Sequence, residues 1–240
     1  MGLALLLVNG CAAEDEPTVV LVSAAASLTD GFAEIESAFE DANPGVDIVL
    51  NLGGSSGLRE QILEGAPADV FASANLSNMD QVVDAGAVAG EPIIFARNLL
   101  QIAVPPGNPG GVTGLTDFAR EELLIGLCAE GVPCGDFARE ALAAAGVLPS
   151  TDTDEPDVRA LLTKIEAGEL DAGITYVSDV VSAGGSVEGI EIPEGENVVA
   201  AYPIATLAEA ASPEVSQDFV DFVLSAEGLA ILVEHGFAAP

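Results

Sequence analysis

Hydrophobic positions change period along this chain in a repeating order. Val19-Val20-Leu21-Val22 is a continuous apolar run, the pattern of a strand buried on both faces. Past Ala26 the period turns helical. Leu28, Phe32, Ile35 and Phe39 share one face, with Ser27 at the N-cap position and Asp30 three residues on. The order then repeats: a strand over 47–52, the run Gly53-Gly54-Ser55-Ser56-Gly57, and a helix carrying Leu58, Ile62 and Leu63. Each corner sets a serine hydroxyl and unpaired backbone N–H groups at the positive end of a helix, which suits an anion. A serine that only caps its helix gives the same local pattern. Two adjacent parallel strands opening onto such corners, however, make one crevice at the carboxyl edge of a sheet, where open α/β folds bind ligands.

The alternation continues. A strand follows over 70–74, then a helix with Met79, Val82 and Val83 that ends at Gly86, then a strand over 99–104 stopped by Pro105-Pro106-Gly107. Beyond it comes a second series: a short helix over 115–119, a strand over 123–128, and a helix opened by Cys134-Gly135-Asp136. Val158, Leu161, Leu162 and Ile165 mark another helix, 172–176 a strand, and Ser178 the cap of a short helix closed by Gly184-Gly185. Residues 200–207 read as a strand that Pro203 makes edge-like or a crossover. Two helices finish the chain, one with Phe219, Phe222 and Val223, the other with Leu229, Ile231 and Leu232. Strands alternating with helices predict a parallel-rich α/β protein.

Charge narrows the partners. Six Lys and Arg stand against 39 Asp and Glu, a formal charge of −33 over 240 residues. Such a surface excludes nucleic acid and anionic membrane as partners. At the N-terminus, residues 3–8 are apolar, Asn9-Gly10-Cys11 follows, and 12–17 are small and acidic. This resembles the end of a bacterial lipoprotein signal with Cys11 as the lipidated residue, although a basic n-region and a full-length apolar stretch are missing. Export permits disulfides. Cys128 and Cys134, six residues apart in a Gly/Pro loop, are then expected to form a disulfide, with two buried thiols as the alternative.

Several chemistries fall away. Lys164, the one lysine, follows no glycine loop, so there is no Walker A motif, and one histidine without clustered cysteines makes a poor metal site. Gly53-Gly54-Ser55-Ser56-Gly57 does fit G-x-S-x-G, and His235 completes a Ser…Asp…His order, which raises a serine hydrolase with Ser55 as nucleophile. Every member of that motif is small, its strand comes early, and no His-Gly-Gly loop accompanies it. His235 before Gly236-Phe237 reads more simply as a residue packing at a helix end.

Taken together, Ala24-Ala25-Ala26-Ser27-Leu28-Thr29, Gly54-Ser55-Ser56-Gly57-Leu58, the stretch 65–74 and Met79-Asp80 resemble the periplasmic molybdate-binding protein of bacterial ABC transporters. Val132-Pro133-Cys134-Gly135, Asp157-Val158-Arg159-Ala160-Leu161, 173–179, Tyr202-Pro203-Ile204 and Glu234-His235-Gly236-Phe237 extend the resemblance to the chain's end. It implies a type II periplasmic binding protein fold: two α/β lobes joined by two crossover strands, near 99–104 and 200–204, with the ligand cleft between them. Residues 1–17 are then a signal remnant and linker, 18–98 plus 203–240 lobe one, and 99–202 lobe two. The resemblance also implies the ligand set: hydroxyl and N–H of Ser27 and Ser55, the backbone N–H of Cys134 and Val158, and the hydroxyl of Tyr176. It further implies molybdate or tungstate as solute, no cofactor and no catalytic residue, a monomer, and an ABC permease with its ATPase as partner of an exported, lipid-anchored receptor. A same-fold receptor for sulfate or a small carboxylate is the alternative.

That ligand set agrees with elementary chemistry. A tetrahedral dianion without protons needs donors only. Hydrogen phosphate carries a proton that a donor-only site leaves unpaired, so it is disfavoured. Sulfate differs by size alone.

Overall fold

In the computed structural model, residues 16–240 are described. The chain runs through β1 (Thr18–Ala25), α1 (Thr29–Ala42), β2 (Val46–Gly53), α2 (Ser55–Leu63), β3 (Val70–Ala72), α3 (Leu76–Asp84) and β4 (Ile93–Val104). It continues with β5 (Ile125–Cys128), α4 (Pro133–Ala144), β6 (Thr153–Glu155), α5 (Val158–Glu166), β7 (Ala172–Tyr176) and α6 (Val177–Ser182). Last come β8 (Glu188–Glu191), β9 (Val199–Thr206), α7 (Pro213–Val223) and α8 (Ala226–Glu234).

The strands follow the order β2-β1-β3-β9-β4-β7-β5-β6, with β8 also on β4. Pairing is parallel at the two ends, β2-β1-β3 and β7-β5-β6, and antiparallel wherever β4 or β9 takes part. The sheet is therefore mixed, not parallel-rich. The reason is β4, 12 residues long, whose first part pairs with β9 and whose last part pairs with β7 and β8. One long strand thus belongs to both halves of the molecule, and β9 returns beside it. Pro203 does not make β9 an edge, for β9 lies between β3 and β4. The register with β4 shifts between Ile94 and Ala96, beside the Ile94–Pro203 pair, so the ladder accommodates a residue with no N–H.

The halves are built on buried apolar faces. α1 buries Phe32, Ile35 and Phe39, the positions its period predicts. Phe39 meets Phe219 and Phe222 of α7 edge-on, at 5.4 and 5.6 Å between ring centroids, so the end of the chain packs on its beginning. Asp69, buried within the stretch 65–74, accepts from the N–H of Leu21 and of Ala211 and ties β1 to the returning chain. The segment 115–119 is a 3₁₀ turn. Cys11 and most of 1–17 lie outside the described residues. Among the described residues no helix is long and apolar enough to cross a membrane.

Candidate functional site

The first strand-to-helix corner is tighter than an N-cap. Residues Ala26–Leu28 form a 3₁₀ turn, and α1 starts at Thr29 with no side-chain cap. Ser27 therefore does not cap. Its Oγ lies 2.9 Å from the hydroxyl of Tyr202 on β9. Ser55, first residue of α2, does not cap either; its Oγ accepts from the N–H of Ala74 at 3.0 Å. That bond leaves the Ser55 hydroxyl proton free to donate, and Tyr202 can orient Ser27 the same way. Ser178 likewise is no cap, since its Oγ accepts from the Asn98 amide and Asp179 instead bonds the N–H of Tyr176.

Ser27 and Ser55 meet three helix starts from the other half around one small cavity. Its wall holds Ser27, Gly54 and Ser55 on one side, and Cys134, Val158 and Tyr176 on the other. The cavity encloses about 10 Å³, the room of about one water molecule, so nothing extended fits in this arrangement. All five candidate ligand residues line it. Ser55, Cys134 and Val158 occupy the first or second positions of α2, α4 and α5, where a helix offers its own N–H groups no acceptor. The positive ends of these helices converge there, and among the described residues neither Lys nor Arg lines the wall.

Tyr176 completes the wall. It is 1% exposed, and among the described residues its hydroxyl has no hydrogen-bond partner. A buried hydroxyl without a partner costs about 1–3 kcal/mol, so the position calls for an acceptor inside the cavity. Burial above all, then the nearby Tyr202 and Asp179, raises its pKa well above the usual tyrosine range and keeps it a donor. Burial likewise raises the pKa of Tyr202, so it too stays protonated. Tyr202 is held by ring contacts to Phe95, Tyr176 and Phe237.

Two wall features were missed from sequence. Asp157 lines the cavity, so the wall is not free of carboxylates; its Oδ1 accepts from the N–H of Ala160 and caps α5. An Asp directly before an apolar helical run was the available signal. Gly54 is the second. Its φ of −63° and ψ of 132° suit any residue, but a Cβ there would stand 2.6 Å from the carbonyl oxygen of Pro156 in the opposite half. The glycine is required by close approach across the cleft.

Cys128 and Cys134 are joined by a disulfide, Cα–Cα 5.7 Å. It pins the end of β5 to the first turn of α4, next to the cavity. For so short a loop the chain-entropy model gives about 2 kcal/mol of stabilisation. Gly135 lets that turn sit down, since a Cβ would meet the Ala129 carbonyl at 2.1 Å.

The hydrolase arrangement is not assembled. His235 Nε2 pairs with Glu34 Oε2 at 2.9 Å and does not line the cavity, and Ser55 bonds Ala74. No base stands by the Ser55 hydroxyl, so the nucleophile–base pair that motif requires is absent among the described residues.

With this geometry in hand, comparisons with known proteins agree with the resemblance read from the sequence. A family model described as bacterial extracellular solute-binding protein matches residues 20–238. The molybdate-binding protein ModA of Mycobacterium tuberculosis H37Rv is 39% identical over 221 residues, 92% of this chain and 85% of that one. Its Escherichia coli K12 namesake is 32% identical over 243 residues, 96% and 92% of the two chains. In structure, the Azotobacter vinelandii periplasmic molybdate-binding protein superposes with a TM-score of 0.83 over 92% of this chain and 99% of its own, at 18% identity.

Proposed function

This chain belongs to the bacterial extracellular solute-binding proteins, and from that premise we propose that it is an ABC-transport receptor for a tetrahedral oxyanion, molybdate or tungstate. The observation that carries this reading is the buried Tyr176 hydroxyl, unpartnered among the described residues, in a small cavity ringed by helix starts. Relatives named for molybdate support the choice of solute. Ser27 and Ser55 donate from hydroxyl and backbone, Cys134 and Val158 from backbone N–H, and Tyr176 from its hydroxyl. Neutral donors at helix starts hold the dianion without a buried counter-ion. Lobe one comprises 18–98 and 203–240, lobe two 99–202, and the cavity lies where they meet. Asp157, also in the wall, is occupied as the acceptor for the N–H of Ala160. Cys11 carries a lipid anchor, the receptor works as a monomer, and it delivers its solute to a permease with its ATPase. The site needs no catalytic residue and no cofactor.

A thermal-shift panel of molybdate, tungstate, sulfate, phosphate and a small carboxylate tests the reading. Solute at a hundredfold excess over its Kd should stabilise the fold by about 2.7 kcal/mol, and only molybdate and tungstate should do so at micromolar concentration. Selective stabilisation by sulfate or a carboxylate would transfer the receptor to that solute.

Gly54 supplies a second check. Gly54→Ala leaves each lobe's fold intact but sets a methyl against the Pro156 carbonyl when the lobes meet. Molybdate affinity should fall about tenfold, a cost of about 1.4 kcal/mol for incomplete closure. Calorimetric titration that finds affinity unchanged would show that closure tolerates the methyl.

A further inference from the structure

We propose that Arg159, Asp30 and Ser182 form a clasp across the cleft that sets how long the bound solute stays. Arg159 is the second residue of α5, next to Val158, and Asp30 lies in the first turn of α1, three residues past Ser27. Arg159 Nη1 stands 3.1 Å from Asp30 Oδ2 and 2.7 Å from Ser182 Oγ. The Ser182 hydroxyl in turn donates to Asp30 Oδ2. None of the three lines the cavity. The clasp rests on the receptor reading above, since it acts by keeping the lobes shut on a solute.

Its position is singular. Among the described residues, the other ion pairs each stay within one half: Arg59–Glu60 and His235–Glu34 in one, and those of Arg120, Arg139 and Lys164 in the other. Arg159–Asp30 is the ion pair among them that ties the halves together. It does so between the helix starts that carry Ser27 and Val158, so opening the cavity must break it.

An exposed ion pair usually contributes little, because two long side chains must be ordered to make it. Here half of that ordering is done in advance. Ser182 and Arg159 belong to the same lobe, and their hydrogen bond holds the guanidinium in place before Asp30 arrives. Asp30 is short and sits on the first turn of a rigid helix. A contact made only after closure slows opening and leaves capture alone, so its effect falls on dissociation.

The test is stopped-flow tyrosine fluorescence with molybdate, and sulfate alongside it, on full-length protein, Arg159→Gln, Asp30→Asn and the double variant. Molybdate should leave each single variant roughly three- to tenfold faster, with association changed less than about twofold. The two effects should not multiply in the double variant, because each single change already breaks the Arg159–Asp30 ion pair. Melting temperatures of the ligand-free variants confirm that they fold. A wild type that binds while every variant keeps its dissociation rate overturns the clasp and leaves the receptor reading standing. Equal losses in association and dissociation overturn it too, as they mark a general disturbance of the lobe. A folded wild type that binds neither anion overturns the receptor reading and the clasp with it.

Discussion

Asp179→Asn is expected to stabilise the protein by about 4 kcal/mol at pH 8 and to change little at pH 4. Asp179 is 1% exposed, and its Oδ1 has no partner. Burial first of all, with Asp30 and Asp157 nearby, pushes its carboxyl up from 3.8 to about 7, against the opposing Tyr176 N–H and Arg159. The unfolded chain ionises near 3.8, and the folded protein resists ionisation until about 7. Stability is therefore full below pH 4, falls progressively as pH rises through this window, and levels off above the folded value. About three pKa units correspond to about 4 kcal/mol. Asparagine keeps the acceptor for Tyr176 N–H and never ionises. Denaturant melts of both proteins at pH 4, 6 and 8 isolate this one group from the other acids. A difference that stays constant with pH would show that Asp179 ionises normally in the fold.

Tyr176→Phe should weaken binding and leave the ligand-free fold little changed. Once the lobes part, water reaches the hydroxyl, so its removal costs the ligand-free protein little. In the complex the same hydroxyl donates to a charged oxygen, a bond of about 1.5–3 kcal/mol. Affinity for molybdate should therefore fall by roughly 10- to 150-fold. Calorimetric titration and thermal melts on one preparation read both effects. A variant that loses stability and keeps affinity would remove Tyr176 from the ligand set.

The corner at 19–30 was legible because its hydrophobic period changes there, and that change marks where the wall of the cavity begins. The role of Ser27 was not. Its oxygen pairs with Tyr202, 175 residues away, and a tertiary partner overrides the local cap pattern that Ser27 and Asp30 spell out. The first half of β4 escaped for a similar reason. Arg97 and Asn98 interrupt its apolar run, yet Asn98 is buried and bonded to Ser178 across the fold. β8 was invisible because Glu188–Glu191 is short, holds Ile190 as its one large apolar residue, and is mostly exposed on a strand with one neighbour. Pro203 left an edge and a crossover open, because a missing N–H suits either; β9 lies between β3 and β4, and the irregular register of β4 absorbs the proline there. The Cys128–Cys134 bridge was legible, because six residues of spacing in a Gly/Pro loop let the two thiols meet, and the structure joins them.

Helix starts and net charge act over different distances, and that difference gives the cavity a direction. The influence of a helix terminus fades within about one turn, so a solute feels the converging ends of α2, α4 and α5 only once it is seated among them. The −33 of the chain reaches farther, over a Debye length of about 8 Å at 0.15 M salt. An anion is therefore attracted at contact and repelled just outside it. When the lobes part, the short-range hold vanishes first and the long-range push is left, so departure needs no competing ligand. The acidic coat, of no help in gripping an anion, expels one promptly once the grip is released.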